Sequence, residues 1–296
     1  MTTLGFVLHP AHAESTTLFE MASAHLKASG CRSVQLLAPW DQQNPRITQN
    51  GAHSNELTEP RVDAVVSIGG DGTMLRAMAC AHRQGVPALG VNLGQLGYLT
   101  EVEPNDMIAA LASIIAGEFT IEERLALLAE FDTDEGVHRV ISFNEVVVER
   151  EFSGHVIRGD VSLDGRQFLR YEADGLIIAT PTGSTAYNLS ARGPIVAPGL
   201  RAIILTPLSP NMLFDRSLVL DAEQRIGFRL DHGPNASVMV DGQVVHSLLP
   251  PGAVSIAAHP KPIRLIRVVD VPFYEVVKRK FRLSDPPSRT RGIVDA

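Results

Sequence analysis

Two stretches of this chain place a turn rich in small residues between an apolar run and a helical pattern. The first reads Val65-Val66-Ser67-Ile68-Gly69-Gly70-Asp71-Gly72-Thr73-Met74-Leu75-Arg76. Its glycines let the backbone turn sharply and approach a ligand with no Cβ in the way. The helix start that follows offers free N–H groups and a positive dipole end, which suit phosphate oxygens. Asp71 is the odd residue. A carboxylate beside phosphate is repulsive unless a metal lies between them or the carboxylate has chemistry to do. Taking the proton from a hydroxyl that attacks phosphorus is one such task. The alternative is that Asp71 caps the helix. Arg76 follows about one and a half helical turns later, where it either reaches back to a phosphate or stands on a solvated face.

The second stretch reads Asp174-Gly175-Leu176-Ile177-Ile178-Ala179-Thr180-Pro181-Thr182-Gly183-Ser184-Thr185-Ala186-Tyr187-Asn188-Leu189-Ser190. Here the turn is dense in hydroxyls. Between the two lies Asn144-Glu145, an amide and a carboxylate in tandem on an otherwise apolar run. Charges are rarely buried without a partner, so the pair marks either a binding site or an exposed edge strand. Together these three segments resemble the NAD kinase family, and the resemblance runs over roughly residues 4–281. The Gly-Asp-Gly turn alone is shared with lipid kinases and phosphofructokinases. The stretch 174–190 is the specific part.

The resemblance implies transfer of the γ-phosphoryl of ATP to the 2′-hydroxyl of NAD's adenosine ribose. Asp71 would then be the general base, and Gly70, Gly72 and Thr73 would cradle phosphate through backbone N–H groups. Such transfer is mostly positioning and charge neutralisation, so a divalent cation such as Mg²⁺ is expected. Asn144 and Glu145 would hold the adenine and ribose end of NAD. Thr185, Ala186, Tyr187 and Ser190 match nucleotide contacts of the family, and Gln243 and His155 match further NAD contacts; His155 is equally readable as a surface histidine. Asp174 matches a residue that completes the nicotinamide end of a neighbouring subunit's site, which implies a homodimer or homotetramer. Two departures stand out. The family usually carries a glycine where this chain has Arg192, so the arginine must point outward or replace a close backbone contact. Glu172 stands where some relatives carry a basic residue.

Composition narrows the function classes. The chain has 296 residues, 45% apolar, enough for one large or two medium cores. Its net charge is −7, which argues against a general nucleic-acid binder; an anionic substrate must be held by local donors. Two cysteines, Cys31 and Cys80, form no metal pattern, and the ten histidines show no metal-ligand spacing. No metal site is expected from protein side chains alone. Sparse cysteine fits a reducing cytoplasm. No apolar run reaches the ~18 residues of a membrane helix, and the first residues lack the pattern of a signal peptide. No Gly-x4-Gly-Lys-Ser/Thr loop occurs.

The elements that must position these residues divide the chain in two. Residues 1–122 read as strands at 4–9, 34–37, 64–68 and 87–91, alternating with helices at 13–28, 73–83 and 106–116. That pattern indicates parallel βαβ units in an open α/β sheet, and ligands bind such sheets at the carboxyl ends of strands. The polar run 41–59 has no periodicity and reads as a mobile loop. The loop 92–100, glycine-punctuated and carrying Tyr98, follows a strand and lines the same cleft in the family. Residues 123–270 read as many short strands, at 125–131, 140–148, 156–163, 168–171, 176–179, 202–205, 226–230, 238–240, 254–257 and 263–269. Turns such as Asp164-Gly165 and Asp241-Gly242 separate them, giving an all-β, sandwich-like second domain. A single helix is expected there, at 184–191. Residues 271–296 are expected to return to the first domain through a helix at 274–281, with a disordered end from 286.

Two other readings stay open on sequence alone. A lipid kinase of the diacylglycerol type shares the Gly-Gly-Asp-Gly-Thr turn, but would favour a membrane-facing apolar or basic surface. A catalytically impaired NAD-binding regulatory protein would keep the fold and lose turnover; intact Asp71 argues against it and Arg192 for it.

Overall fold

Short runs of β-branched and aliphatic residues, each closed by glycine, asparagine or a charged turn, set the strands of this protein. The computed structural model describes residues 1–36, 60–94, 97–134, 136–152, 154–269 and 271–283. The segments 41–59 and 286–296, read above as a mobile loop and a disordered end, lie outside the described residues, as do Gln95 and Leu96 of the 92–100 loop.

The first layer is a six-stranded sheet. It holds β1 (Thr3–Leu8), β2 (Arg32–Gln35), β3 (Ala64–Gly69), β4 (Ala88–Asn92), β5 (Thr120–Arg124) and β18 (Ile263–Arg267), in the order β2-β1-β3-β4-β18-β5. All neighbours are parallel except β5, which runs antiparallel to β18. Three helices cover it: α1 (Ala13–Ala28), α2 (Asp71–Gln84) and α3 (Met107–Ala116). Leu18, Ala22 and Leu26 of α1 pack with Leu111 and Ile114 of α3 on one face. Met74, Ala77, Met78 and Ala81 of α2 pack on the other. Gly85 and Gly117 end α2 and α3 in the left-handed region, the usual helix stop.

The remaining strands form two antiparallel six-stranded sheets stacked as a sandwich. One has the order β10-β9-β14-β17-β6-β7, made of β6 (Leu127–Thr133), β7 (Gly136–Ser142), β9 (Ile157–Leu163), β10 (Arg166–Ala173), β14 (Ile226–Leu230) and β17 (Gly252–Ala258). The other has the order β13-β12-β11-β8-β15-β16, made of β8 (Glu145–Arg150), β11 (Gly175–Ala179), β12 (Ala202–Leu208), β13 (Leu218–Asp221), β15 (Ala236–Val240) and β16 (Gln243–Leu248). Inward residues of both, such as Phe131, Val161 and Phe228 against Val146, Ile178 and Leu205, make the core between them. The α/β layer plus β-sandwich expected from sequence is the architecture found.

Three details differ from the sequence reading. The run 140–148 is not one strand: β7 ends at Ser142, β8 starts at Glu145, and the two lie in different sheets. The strand read at 263–269 belongs to the first sheet, wedged between β4 and β5, so the chain re-enters that sheet before residue 271. β5, β13 and β16 were not anticipated. The expected terminal helix is α5 (Phe273–Phe281), which has no buried residue.

Candidate functional site

The first turn forms where β3 runs into α2. Gly70 is the N-cap residue in extended conformation and no side chain caps the helix. The residues at 69 and 73 are interlocked, since a Cβ on Gly69 would stand 2.4 Å from Thr73 Oγ1. Asp71 does not serve as a cap. Its two carboxylate oxygens each accept one backbone N–H from the 92–100 loop, Tyr98 N–H at 2.9 Å and Leu99 N–H at 3.1 Å. Gly97 makes that approach possible: a Cβ there would lie 2.2 Å from Asp71 Oδ1 and 2.3 Å from Thr100 Oγ1. The ammonium of Lys280, from α5, sits 4.9 Å above the Tyr98 ring, a cation–π contact. Burial first, then the Asp71 charge, pushes the Tyr98 hydroxyl pKa up.

A residue the sequence reading passed over builds the second part. Asp241 holds φ +46° in the turn between β15 and β16. Its carboxylate accepts the hydroxyl of Ser142 (2.7 Å) and the N–H groups of Phe143 (3.0 Å), Asn144 (2.8 Å) and Glu145 (3.2 Å). These N–H groups are lost to any ladder, so the chain bends at residues 143–144 and leaves one sheet for the other. The only sequence signal was an Asp-Gly turn, which more often marks a plain hairpin.

Glu145 is the consequence. It opens β8, a central strand flanked by β11 and β15, and is 5% exposed; the edge-strand alternative does not hold. Tyr187 N–H bonds its carboxyl, while Oε2 has no partner. Burial, and then the neighbouring Asp241 carboxylate, pushes Glu145 up to about 8. Asp241 is also raised by burial, with the donors from residues 142–145 pulling it back. We take Asp241 as the ionised member, because four donors meet it, and Glu145 as the member that carries a proton at neutral pH.

The hydroxyl-rich signature is mostly internal framing. Thr180 Oγ1 donates to Phe143 O (2.7 Å) and accepts Gly183 N–H (3.0 Å). Ser184 Oγ bonds Pro181 O (2.6 Å) and accepts Val196 N–H (3.0 Å). Asn188 ties Ser184 O and Pro194 O to Thr206. Gly183 must lack a side chain, because its Cβ would stand 2.1 Å from Asn144 O. The expected helix at 184–191 is a 3₁₀ turn (Gly183–Thr185) followed by α4 (Tyr187–Ser190).

Of the residues singled out from sequence, Gly70, Gly72, Thr73, Arg76 and Gln243 line one cavity of about 370 Å³. Ile141, Phe143 and Asp241 of the sandwich close it over the first sheet. Asn144 and Glu145 adjoin it through Asp241. Tyr187, 38% exposed, joins Glu145 and lies within electrostatic reach of Glu149 and Asp174. Asp174 is paired with Arg150 at 2.9 Å. Thr185 and Ala186 are half-buried and Ser190 exposed beside them. His155 is exposed in the β8–β9 connection and does not line the cavity. Arg192 is exposed with φ +63°, which explains why a glycine suits that position and shows the arginine pointing outward. Glu172 pairs with Arg158 at 2.6 Å. Neither Cys31 nor Cys80 forms a disulfide. Among the described residues no group of three His, Cys, Asp or Glu is placed to hold a metal ion, and no helix is long and apolar enough to cross a membrane.

Comparison with known proteins matches residues 4–119 to the ATP-NAD kinase N-terminal domain and residues 143–268 to the ATP-NAD kinase C-terminal domain. An NAD kinase of Citrifermentans bemidjiense is 40% identical over 238 residues, 78% of this chain and 82% of that one. An NAD kinase of Leifsonia xyli is 36% identical over 294 residues, 97% and 95% of the two chains. Among solved structures, yeast NADH kinase complexed with NADH superposes with a TM-score of 0.83 at 21% identity, covering 98% of this chain and 90% of that one. An NAD kinase from Archaeoglobus fulgidus in complex with ATP gives 0.72 at 25% identity, covering 95% and 99%.

Proposed function

The chain belongs to the NAD kinase family, and we propose that Asp71 is the base of its phosphoryl transfer from ATP to the 2′-hydroxyl of NAD's adenosine ribose. The observation that carries this is the double hold on Asp71: each carboxylate oxygen accepts one N–H, from Tyr98 or Leu99. Each keeps a further lone pair for an incoming hydroxyl. The carboxylate takes the hydroxyl proton as the new O–P bond forms, the bond from the γ-phosphorus to its bridging oxygen breaks, and ADP leaves. Because a ribose hydroxyl is a very weak acid, the fixed geometry matters more than the basicity of Asp71.

Gly70 and Gly72 give backbone N–H groups to phosphate, whereas Thr73 N–H is already donated to Gly70 O at 3.0 Å; Arg76 adds its charge. The magnesium ion enters with the triphosphate as part of the substrate, since such ions are held largely by phosphates and water. Asn144, the protonated Glu145, Thr185, Ala186, Tyr187 and Ser190 hold the nucleoside of NAD. A protonated carboxyl both donates and accepts, which suits a ribose hydroxyl. Gln243 and His155 add contacts further along the dinucleotide. Asp174 completes the site of a neighbouring copy in a homodimer or homotetramer, and the enzyme works in the cytoplasm. The comparisons favour a nucleotide acceptor; the lipid-kinase reading finds no support in them.

The test is NADP⁺ formation from NAD⁺, ATP and Mg²⁺ by the purified chain, with Asp71→Asn beside it. We expect turnover to fall by about 10²–10⁴ with NAD binding retained. Equal turnover of the two proteins refutes the base assignment.

A further inference from the structure

His9 and His12 have no part in the roles above. His9 follows β1, and its N–H donates to Ile68 O of neighbouring β3 at 3.0 Å. Its ring therefore stands at the carboxyl end of the sheet, beside the Gly69-Gly70 turn. His12 is the N-cap residue of α1, and the two rings meet edge to face with centroids 4.4 Å apart. Ser15 Oγ ties the loop down through His9 O (3.0 Å) and His12 O (2.6 Å). Both histidines line the 370 Å³ cavity together with Arg76, Gly70, Gly72 and Thr73.

We propose that His9 and His12 bind the phosphate chain of the phosphoryl donor, standing beside Arg76, Gly70, Gly72 and Thr73 in the same cavity. The assignment rests on the NAD kinase reading and names the donor's subsite within it. His12, Arg76 and the Nε2–H of His9, whose Nδ1 accepts Ala11 N–H at 3.2 Å, are donors that share this small volume. Burial, then His12, then Arg76 make His9 harder to protonate than an ordinary histidine, and a multiply charged anion reverses that repulsion. The start of α2 lines the cavity and carries no side-chain cap. The acid among the described lining residues is Asp241, whose oxygens face their own donors. Glu14, in the first turn of α1, is exposed and does not line the cavity. A triphosphate carries more charge than the pyrophosphate of NAD, so it gains more from this cluster.

The test uses the full chain and the double variant His9→Gln, His12→Gln, with His12→Gln alone as the milder substitution at an exposed position. Binding of inorganic tripolyphosphate is measured by calorimetry, and KM values for ATP and NAD by NADP⁺ formation. We expect tripolyphosphate affinity to fall about 10-fold or more, as loss of charge-assisted hydrogen bonds implies. KM for ATP should rise by a similar factor, with KM for NAD changed less than about 2-fold. Unchanged tripolyphosphate affinity, or a rise in KM for NAD in place of ATP, overturns the proposal. If the unmodified chain forms no NADP⁺ yet its tripolyphosphate affinity depends on the pair, the kinase reading fails and the anion site stands.

Discussion

Glu145→Gln tests the buried carboxyl pair through stability. Glu145 is 5% exposed and faces the Asp241 carboxylate, and its pKa is pushed up to about 8 from an ordinary value near 4.5. Between those two values the folded chain keeps a proton that the unfolded chain has released. The sign follows: the unfolded state binds fewer protons, so stability falls as pH rises through this window and levels off above pH 8. At about 1.4 kcal/mol for each pH unit, the loss reaches about 3 kcal/mol at pH 7 and about 5 kcal/mol above pH 8. Glutamine copies the neutral acid with a donor and an acceptor in the same place and has no proton to lose. The variant should therefore gain on the unmodified chain by about 4 kcal/mol between pH 5 and pH 9. In thermal unfolding that is a gap widening by roughly 10 °C. Other titrating groups are common to both proteins and cancel in the difference. Parallel midpoint-against-pH curves, or a gap that widens toward acid, would refute the assignment of the proton to Glu145.

Two further substitutions probe the backbone of the site. Gly97→Ala places a Cβ 2.2 Å from Asp71 Oδ1, and that end of a side chain can swing aside, so the fold should survive with a cost of about 1 kcal/mol while NADP⁺ formation drops at least ~10-fold; a fully active variant would show that Asp71 need not be held there. Arg192→Gly relieves a non-glycine residue at φ +63° and should leave stability unchanged or raise it by up to about 1 kcal/mol, read from urea midpoints; a clear loss would mean that the arginine side chain makes a contact of its own.

The local units are legible in the chain itself. Strand, glycine turn and helix at residues 64–84, the hydroxyl-rich turn at 174–190, and the change from alternating βα to short strands near residue 123 are written in neighbouring residues. Periodicity, Gly and Ser/Thr carry them. What tertiary structure alone decided is which distant groups meet. Asp71 and its donors Tyr98 and Leu99 are 27 and 28 residues apart, and Asp241 gathers N–H groups 96 to 98 residues away. The apolar run at 140–148 looked continuous because its break is imposed from outside, by that aspartate. The place of β18 between β4 and β5 likewise depends on strand edges far away in the chain, and no local propensity records that. Thr180 and Ser184 of the signature hold backbone to backbone, a distinction composition cannot make, because a serine bonded to a carbonyl and a serine facing a ligand are the same letter. His9 and His12 became visible only once β1 lay beside β3, since a histidine in a loop acquires a partner from the sheet order and not from its neighbours.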